Sequence, residues 1–245
     1  MDDADPPGDA PLRTHEGALV TGTVVDRPNR FVLRVRLGGD VERVYLGDPG
    51  ALTTVLDEGS EVLCEPVDDP DRATGADAVA VRVGDVFVSV KTALANDLFE
   101  RLLERGALPA FRGYERVRRE PPLPDHGRTD FLLATPDGGR AYVEVKSCTH
   151  VEDGVAKFPD SPTERGRRHL RSLRSLVADG VESHLAFVVQ RPDAGGVRPF
   201  REVDPDFADL LARAVDAGVS VHAVAVEFDP PHYRLRDGDL SVELV

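Results

Sequence analysis

Hydrophobic and polar positions alternate with the period of a β-strand along much of the first 85 residues. Residues 31–37 alternate apolar and basic side chains, residues 38–40 carry a Gly-Gly-Asp turn signal, and residues 41–46 return as the partner strand. Three further short strands and one short helix-like stretch are predicted at residues 18–25, 61–66, 78–83 and 51–56, respectively. Five short strands with one small helix predict a small closed barrel of the oligonucleotide/oligosaccharide-binding (OB) kind.

The pattern changes at Gly84, after which helical faces and strands follow one another. Apolar residues at helical spacing predict a helix over residues 92–105, and residues 161–164 have the form of a capping box that opens a second helix, to about Asp179. The other predicted elements are strands at 85–90, 114–120, 128–134, 140–147, 184–190 and 219–228, a helix at 205–217, and a final hairpin turning at Asp237-Gly238. This order predicts an α/β (α+β) domain with a mixed sheet flanked by helices.

These patterns divide the chain into an acidic tail at residues 1–11, which we expect to be disordered, a barrel domain at 12–84 and an α/β domain at 85–245. The apolar content of 41% is typical of a globular protein. No apolar run approaches the ~18 residues that span a bilayer, so we expect no membrane partner. The acidic start has the wrong sign for a secretory signal, and two cysteines make no disulfide framework, which favours the cytoplasm.

The charge of the chain is strongly unbalanced. Its 245 residues carry a net charge of -14; 28 of the 44 acidic residues are Asp, and only 3 of the 30 basic residues are Lys. This composition indicates adaptation to high salt, which screens the self-repulsion of so acidic a protein. Net charge alone disfavours a nucleic-acid partner, but a whole-chain adaptation is compatible with a local basic site.

Two neighbouring predicted strands carry the candidate chemistry. Glu144 and Lys146 are two residues apart on a strand, so they share one face of it. A hairpin centred near Asp137 places Asp130 opposite Glu144, with side chains ~5 Å apart at Cβ. Facing carboxylates beside a lysine predict a Mg²⁺ site at Asp130 and Glu144, with Lys146 orienting or deprotonating a metal-activated water that attacks phosphorus. Glu120, at the end of the preceding strand, is a candidate third carboxylate.

The spacing by itself is a weak signal. An Asp followed by Glu-x-Lys is more often a cross-strand salt bridge on a solvated face. Here the apolar residues 131–133, Val143 and Val145 predict a buried hairpin, in which adjacent carboxylates repel each other unless a cation joins them. The surrounding order of helix, three strands, helix and strand is that of the PD-(D/E)xK nuclease-like core.

An arginine-rich helix follows this hairpin. Residues 165–174 contain five arginines and no acidic residue, and four of them fall on an arc of roughly 120°. Two interpretations stay open, a solvated face paired with nearby Asp and a phosphate-binding stripe. The candidate nucleic-acid contacts are Arg30, Arg128, Arg165, Arg167, Arg168, Arg171 and Arg174. His169 is interpreted as a helix residue near the site, and Asn96 as a helix surface residue or a buried polar group contacting the sheet.

Several segments together resemble the sugar fermentation stimulation protein A (SfsA) family over about residues 15 to 230. They are Arg30-Phe31, Ala95-Asn96, residues 113–120, Arg128-Thr129-Asp130-Phe131, residues 142–149, Phe158-Pro159-Asp160, residues 163–166 and His169-Leu170. The resemblance implies an N-terminal OB-like barrel, a C-terminal PD-(D/E)xK nuclease-like domain, DNA binding and a role in regulating sugar-metabolism genes.

Carried over residue by residue, the resemblance assigns the nuclease-like motif to Asp130, Glu144 and Lys146, with Glu120 less securely placed. Asn96, Asp160 and His169 are further motif residues, and Thr129 stands where the family has an Ile-like residue. Three functions follow: a DNA-binding regulator, a Mg²⁺-dependent nuclease and, less favoured, a sugar-phosphate sensor. The sequence shows no helix-turn-helix with clear recognition positions, so it does not support sequence-specific readout of DNA. It does not indicate the oligomeric state.

Overall fold

A computed structural model describes residues 10–123 and 127–244. The strands are β1 Arg13–Thr14, β2 Val20–Asn29, β3 Val32–Leu37, β4 Asp40–Tyr45, β5 Glu61–Pro66, β6 Ala76–Val83, β7 Val86–Ser89, β8 Arg116–Arg119, β9 Phe131–Ala134, β10 Arg140–Cys148, β11 Val151–Glu152, β12 Val155–Phe158, β13 Glu182–Val189, β14 Gly196–Pro199, β15 Ser220–Asp229, β16 His232–Asp237 and β17 Ser241–Val242. The helices are α1 Leu94–Glu104, α2 Glu164–Ala178 and α3 Pro205–Asp216, with a 3₁₀ turn at Pro109–Phe111. Within the described ranges, no helix is long and apolar enough to cross a membrane.

Strands β2 to β6 form the expected barrel. Antiparallel pairs join β2 to β3 and β5, β3 to β4, and β5 to β6, and a parallel pairing of β4 with β6 closes the ring. Alternate apolar side chains, among them Leu33, Val35 and Val44, fill the interior with no exposed surface. The prediction of a short helix at residues 51–56 is wrong, since this stretch forms turns. Leu52 has a φ of +56°, which interrupts a right-handed helix.

The second domain has the expected mixed sheet flanked by helices. Its strand order is β7-β15-β13-β10-β9-β8, in which β10, β13 and β15 are parallel and the outer pairs are antiparallel. Helix α1 packs on one face of the sheet, and α2 and α3 pack on the other. Strand β7 also pairs with β6, so the sheet runs on from the barrel, and β1 pairs with β16.

Two local expectations for this domain are wrong, and one feature was not expected. The final hairpin turns at Pro230-Pro231 rather than at Asp237-Gly238, and β17 leaves it to pair with β14. A separate sheet of β11, β12, β14 and β17 was not expected, because its strands of two to four residues are too short to show a period of two. Helix α2 is capped by Thr163, whose hydroxyl accepts from the Gly166 amide at 3.0 Å, rather than by Ser161.

The β9–β10 hairpin has the expected register, and this register positions the candidate site. Phe131 pairs with Val143, so Asp130 lies one step beyond the ladder, opposite Glu144. The alternate apolar side chains Phe131, Leu133, Val143 and Val145 pack against α1, and none of them is more than 6% exposed. Glu144 and Lys146 therefore face the opposite side of the sheet, toward α2.

Candidate metal and nucleic-acid site

A cavity of about 560 Å³ has walls from both domains. The sequence-predicted residues that line it are Arg30, Asn96, Asp130, Glu144, Lys146, Asp160 and Arg165. Asp48 of the barrel also lines it. The cavity therefore brings together carboxylates, a lysine and arginines that are far apart in the sequence.

Asp130 is held in place by two hydrogen bonds. Its Oδ2 accepts from the Val145 amide at 2.7 Å, and its Oδ1 accepts from Asn96 Nδ2 at 2.8 Å. Asn96 is thus the polar group that contacts the sheet, the second of its two interpretations. Burial, reinforced by the charge of Glu144, raises the pKa of Asp130 above its ordinary value.

Glu144 is a buried carboxylate with basic partners. It is 2% exposed, and its Oε1 contacts both Lys146 Nζ and His169 Nδ1. Burial acts to raise the pKa of Glu144, but Lys146 and His169 outweigh it and hold the pKa below its ordinary value. Glu144 Oε2 lies 3.1 Å from Thr129 Oγ1, which also lies 2.9 Å from the carbonyl of Val143.

Helix α2 brings His169 to Glu144. Its buried face of Leu170, Leu173 and Leu176 packs on the sheet, so His169 meets the sheet beside Lys146, 3.4 Å away between Nδ1 and Nζ. The sequence placed His169 near the site without indicating this contact. Thr129 was noticed only as a departure from the family pattern, and the structure shows that its hydroxyl contacts the site.

Asp130 and Glu144 fit a hard divalent cation in ligand type and number. Within residues 10–123 and 127–244, no group of three or more His, Cys, Asp or Glu side chains could hold a metal. Mg²⁺ is often held by only one or two carboxylates, with waters and substrate phosphates completing its shell. The half-buried Asp130 and the anionic Glu144 would supply that minimal set.

Glu120 does not join this group. Its side chain is 69% exposed and pairs with Arg128, 3.1 Å away. Its φ of +47° ends strand β8 with a backbone conformation that strand periodicity does not anticipate. Its backbone amide donates to the carbonyl of Asp130 at 2.9 Å, and Glu120 lines a second cavity together with Asn96 and Asp130. This carboxylate does not line the cavity that contains Glu144, and its role as a third ligand stays a prediction.

The candidate arginines have different surroundings. Arg30 and Arg165 line the cavity, and Arg168 is exposed, with no ion pair in the part of the chain that the structure describes. Three others are ion-paired. Arg128 pairs with Glu120, Arg171 pairs with Glu164, and Arg167 pairs with both Glu164 and Asp204. Arg174 is partly buried. The solvated-face interpretation therefore holds for part of the helix only.

Asp48 was missed by the sequence analysis. It is 8% exposed and accepts from the Gly50 amide at 2.9 Å, and burial together with Asp160 raises its pKa to about 6. Asp160 Oδ2 accepts from the Leu52 amide at 3.0 Å, so this motif residue joins the start of α2 to the barrel. An Asp-Pro-Gly sequence indicates an exposed turn, which concealed the burial of Asp48.

Two family models match the chain, one in each domain. Residues 25–90 match the model described as "SfsA N-terminal OB domain", and residues 93–232 match "Sugar fermentation stimulation protein RE domain". The chain belongs to the SfsA family. Two SfsA-family relatives are sugar fermentation stimulation protein homologs. That of Moorella thermoacetica is 39% identical over 86% of this chain and 91% of its own length, and that of Methanothermobacter thermautotrophicus is 38% identical over 82% of each.

A solved SfsA structure shares the fold over nearly the whole chain. It is described as "The structure of Pyrococcus Furiosus SfsA in complex with Ca2+" and superposes with a TM-score of 0.86 at 28% identity. The match covers 96% of this chain and 99% of the Pyrococcus chain. The SfsA architecture of an OB barrel followed by a nuclease-like domain therefore extends to this protein.

Proposed function

We propose that this SfsA-family protein binds DNA across the cavity and hydrolyses a phosphodiester bond there with Mg²⁺. The observation that carries the proposal is the meeting of Asp130 and Glu144 with Lys146 in a cavity that Arg30 and Arg165 also line. Carboxylate oxygens suit Mg²⁺, and guanidinium groups bind phosphate by charge-assisted hydrogen bonds. A relative solved with Ca²⁺ supports a divalent cation, since Ca²⁺ also prefers oxygen ligands.

The residues around the cavity have separate roles in this proposal. A bound Mg²⁺ would supply Lewis acidity and lower the pKa of a coordinated water. Asn96 and the Val145 amide orient Asp130, and the Thr129 hydroxyl orients Glu144 through Oε2. Lys146 carries a positive charge beside Glu144. From this position its Nζ can donate a hydrogen bond to a water or to a phosphate oxygen.

DNA binding without cleavage is the second candidate. Glu144 Oε1 already contacts Lys146 and His169, so its charge is balanced without a metal. In that case the protein would act in the cytoplasm as a regulator of sugar-metabolism genes. Its acidic, lysine-poor composition favours a cytoplasm with a high salt concentration. A sugar-phosphate sensor on α2 is disfavoured, because Arg167 and Arg171 are engaged by carboxylates.

A paired cleavage and binding experiment separates these functions. We expect DNA to be cut only when Mg²⁺ is present, and Asp130→Asn to abolish cutting while fluorescence anisotropy shows that binding persists. Asp209→Asn is the matched control, because this carboxylate is 53% exposed on α3 and pairs with Arg201. Wild-type protein that binds DNA and leaves both DNA and RNA uncut with Mg²⁺, from low to molar salt, would exclude the nuclease and support regulation.

A further inference from the structure

A separate cavity lies where the N-terminal segment meets β5 and helix α1. It has a volume of about 600 Å³, within the range of ligand-binding pockets, and is called here the N-terminal cavity. Residues 11–17, Glu65, Lys91, Arg101 and Arg105 line it. None of these residues lines the cavity that contains the two candidate metal ligands, so the two cavities are distinct.

The walls of the N-terminal cavity are held in place by the rest of the fold. Leu12 is 3% exposed in the core, and its amide donates to the Tyr233 carbonyl at 2.7 Å. The guanidinium of Arg105 donates to the carbonyls of Ala10 and Pro11 at 2.9 and 2.7 Å. The N-terminal segment is thus attached both to the sheet and to α1, and the cavity is formed without a ligand.

The N-terminal cavity is positively charged, although the chain carries a net charge of -14. Its four cationic side chains are Arg13, Lys91, Arg101 and Arg105, and its two carboxylates are Glu16 and Glu65. The lining therefore has an excess of two positive charges. A concave surface whose charge is opposite to that of the whole protein concentrates anions.

Two of the four cations are ion-paired. Lys91 Nζ lies 2.9 Å from Glu65 Oε2, and Arg13 Nη1 lies 2.9 Å from Asp97 Oδ2. Asp97 also pairs with Arg119 at 2.6 Å, so its charge is shared between two arginines. These pairs compensate part of the positive charge and leave the arginines of α1.

The two arginines of α1 have no carboxylate partner in the part of the chain that the structure describes. The partners of Arg105 are neutral carbonyls, so its charge is not compensated. The exposed side chain of Arg101 makes neither a hydrogen bond nor an ion pair within residues 10–123 and 127–244. Arg101 and Arg105 are four residues apart, so they lie on one face of the helix, and both reach the cavity.

A buried imidazole in the wall lacks a hydrogen-bond partner. The His15 side chain is 9% exposed, and its Nε2 is buried with no hydrogen bond among the described residues. The nearest carboxylate oxygen, Glu65 Oε2, is 3.6 Å away. Burial lowers the pKa of His15 below its ordinary value of 6.5, so the ring is neutral near pH 7 and carries one N–H. An anion in the cavity would supply the acceptor that this nitrogen lacks.

We propose that the N-terminal cavity binds a phosphate group, with Arg101 and Arg105 as its charged partners and His15 as a neutral donor. Guanidinium groups bind phosphate oxygens by paired, charge-assisted hydrogen bonds, and the dianion of a phosphate monoester matches the excess of two positive charges. The phosphate belongs either to a small molecule or to a nucleic-acid backbone. The inference is independent of the proposed function, because the two cavities share no residue.

Calorimetric titration of the full-length protein with inorganic phosphate tests this site. The ionic strength is held constant, and EDTA removes divalent cations that would draw phosphate to the other cavity. We expect Arg101→Gln to weaken phosphate binding about ten- to hundredfold, because it removes a charge-assisted hydrogen bond. Arg112→Gln is the matched control, since Arg112 is also exposed and has no ion pair within the described ranges, but lies outside the N-terminal cavity.

The His15 nitrogen is tested by a pair of variants. His15→Leu removes the donor and should weaken phosphate binding several-fold. His15→Gln keeps an N–H near the position of Nε2 and should bind phosphate more tightly than His15→Leu. Equal affinities in these two variants, both folded by circular dichroism, would contradict the role of His15 as a donor.

Duplex binding measured by fluorescence anisotropy identifies the source of the phosphate. If a small molecule supplies it, inorganic phosphate binds as described, and Arg101→Gln leaves the affinity for a duplex unchanged. If a nucleic-acid backbone supplies it, Arg101→Gln reduces the log–log slope of duplex affinity against salt by about 0.9. Either result supports the site.

Two results would overturn the proposal. In the first, Arg101→Gln changes neither phosphate binding nor the salt slope. In the second, phosphate binding is lost in Arg165→Gln and kept in Arg101→Gln, which would place the phosphate in the other cavity. Neither result bears on cleavage, so the proposed function is judged separately by its own experiment.

Discussion

The contact between Lys146 and Glu144 provides the sharpest test of the electrostatics of the site. Lys146→Met keeps most of the side-chain volume and removes the charge, leaving a carboxylate that is 2% exposed with His169 as its remaining basic neighbour. Removing one partner of a buried ion pair costs about 3 to 5 kcal/mol, because the other charge stays buried. We therefore expect the free energy of unfolding to fall by about that amount near neutral pH.

The pH dependence of this loss gives a second, independent sign. In the wild type the pKa of Glu144 is held below its ordinary value of 4.5, so this group stabilises the fold above pH 4.5, and that stabilisation is lost as the pH falls through the folded pKa. Without Lys146, burial dominates and the pKa of Glu144 rises, so stability is lost as the pH increases through the raised pKa. The contribution of Glu144 to the free energy of unfolding thus rises with pH in the wild type and falls with pH in Lys146→Met.

Urea unfolding followed by circular dichroism, over a series of pH values, measures both effects. Lys157→Met is the matched control, since Lys157 is also buried but pairs with Glu152, which is 42% exposed; we expect a loss of about 1 kcal/mol or less. Lys146→Met/Glu144→Gln should recover much of the stability. A loss in Lys146→Met no greater than in the control, or a difference in stability between wild type and Lys146→Met that does not widen as the pH rises, would refute the reasoning.

Three further predictions concern buried polar groups. Burial and the neighbouring His222 lower the pKa of His184 from 6.5 to about 4, so the free energy of unfolding should fall as the pH drops through that window, with a smaller slope in His184→Gln by urea titration. Burial raises the pKa of Asp48 from 3.8 to about 6, so Asp48→Asn should raise the Tm above about pH 7 and not below about pH 4, measured by calorimetry. Asp204 is 1% exposed, caps α3 and binds Arg167. Asp204→Ala should therefore lower the free energy of unfolding, measured in urea, by about 3 kcal/mol. Asp206→Ala, at a position 81% exposed, should change it little.

The β9–β10 hairpin shows what the sequence could predict. A short Pro-Asp-Gly-Gly turn between two apolar runs determines the register, and the register places Asp130 opposite Glu144. The alternation of side chains then separates the Glu144 face from the apolar face. These are local constraints, acting within about twenty residues, and they position the two carboxylates correctly.

The partners of the arginines and of Asp48 lie beyond such local constraints. Arg167 is bound by Asp204, 37 residues later, and Asp48 is buried beside Asp160, more than a hundred residues away. These contacts depend on how α2, α3 and the barrel pack, which no periodicity encodes. The position of Glu120 has a different cause, since its positive φ is a backbone property that its residue type does not indicate.

The hydrogen bond from the Leu52 amide to Asp160 has a structural consequence. Asp160 lies just before α2, a rod of 15 residues and about 22 Å, and His169 lies one and a half turns along it. Asp160 therefore joins the barrel loop at residues 51–56 to the segment that leads into α2. The same helix carries His169 to Glu144, so both domains contribute to the position of the imidazole beside the buried carboxylate.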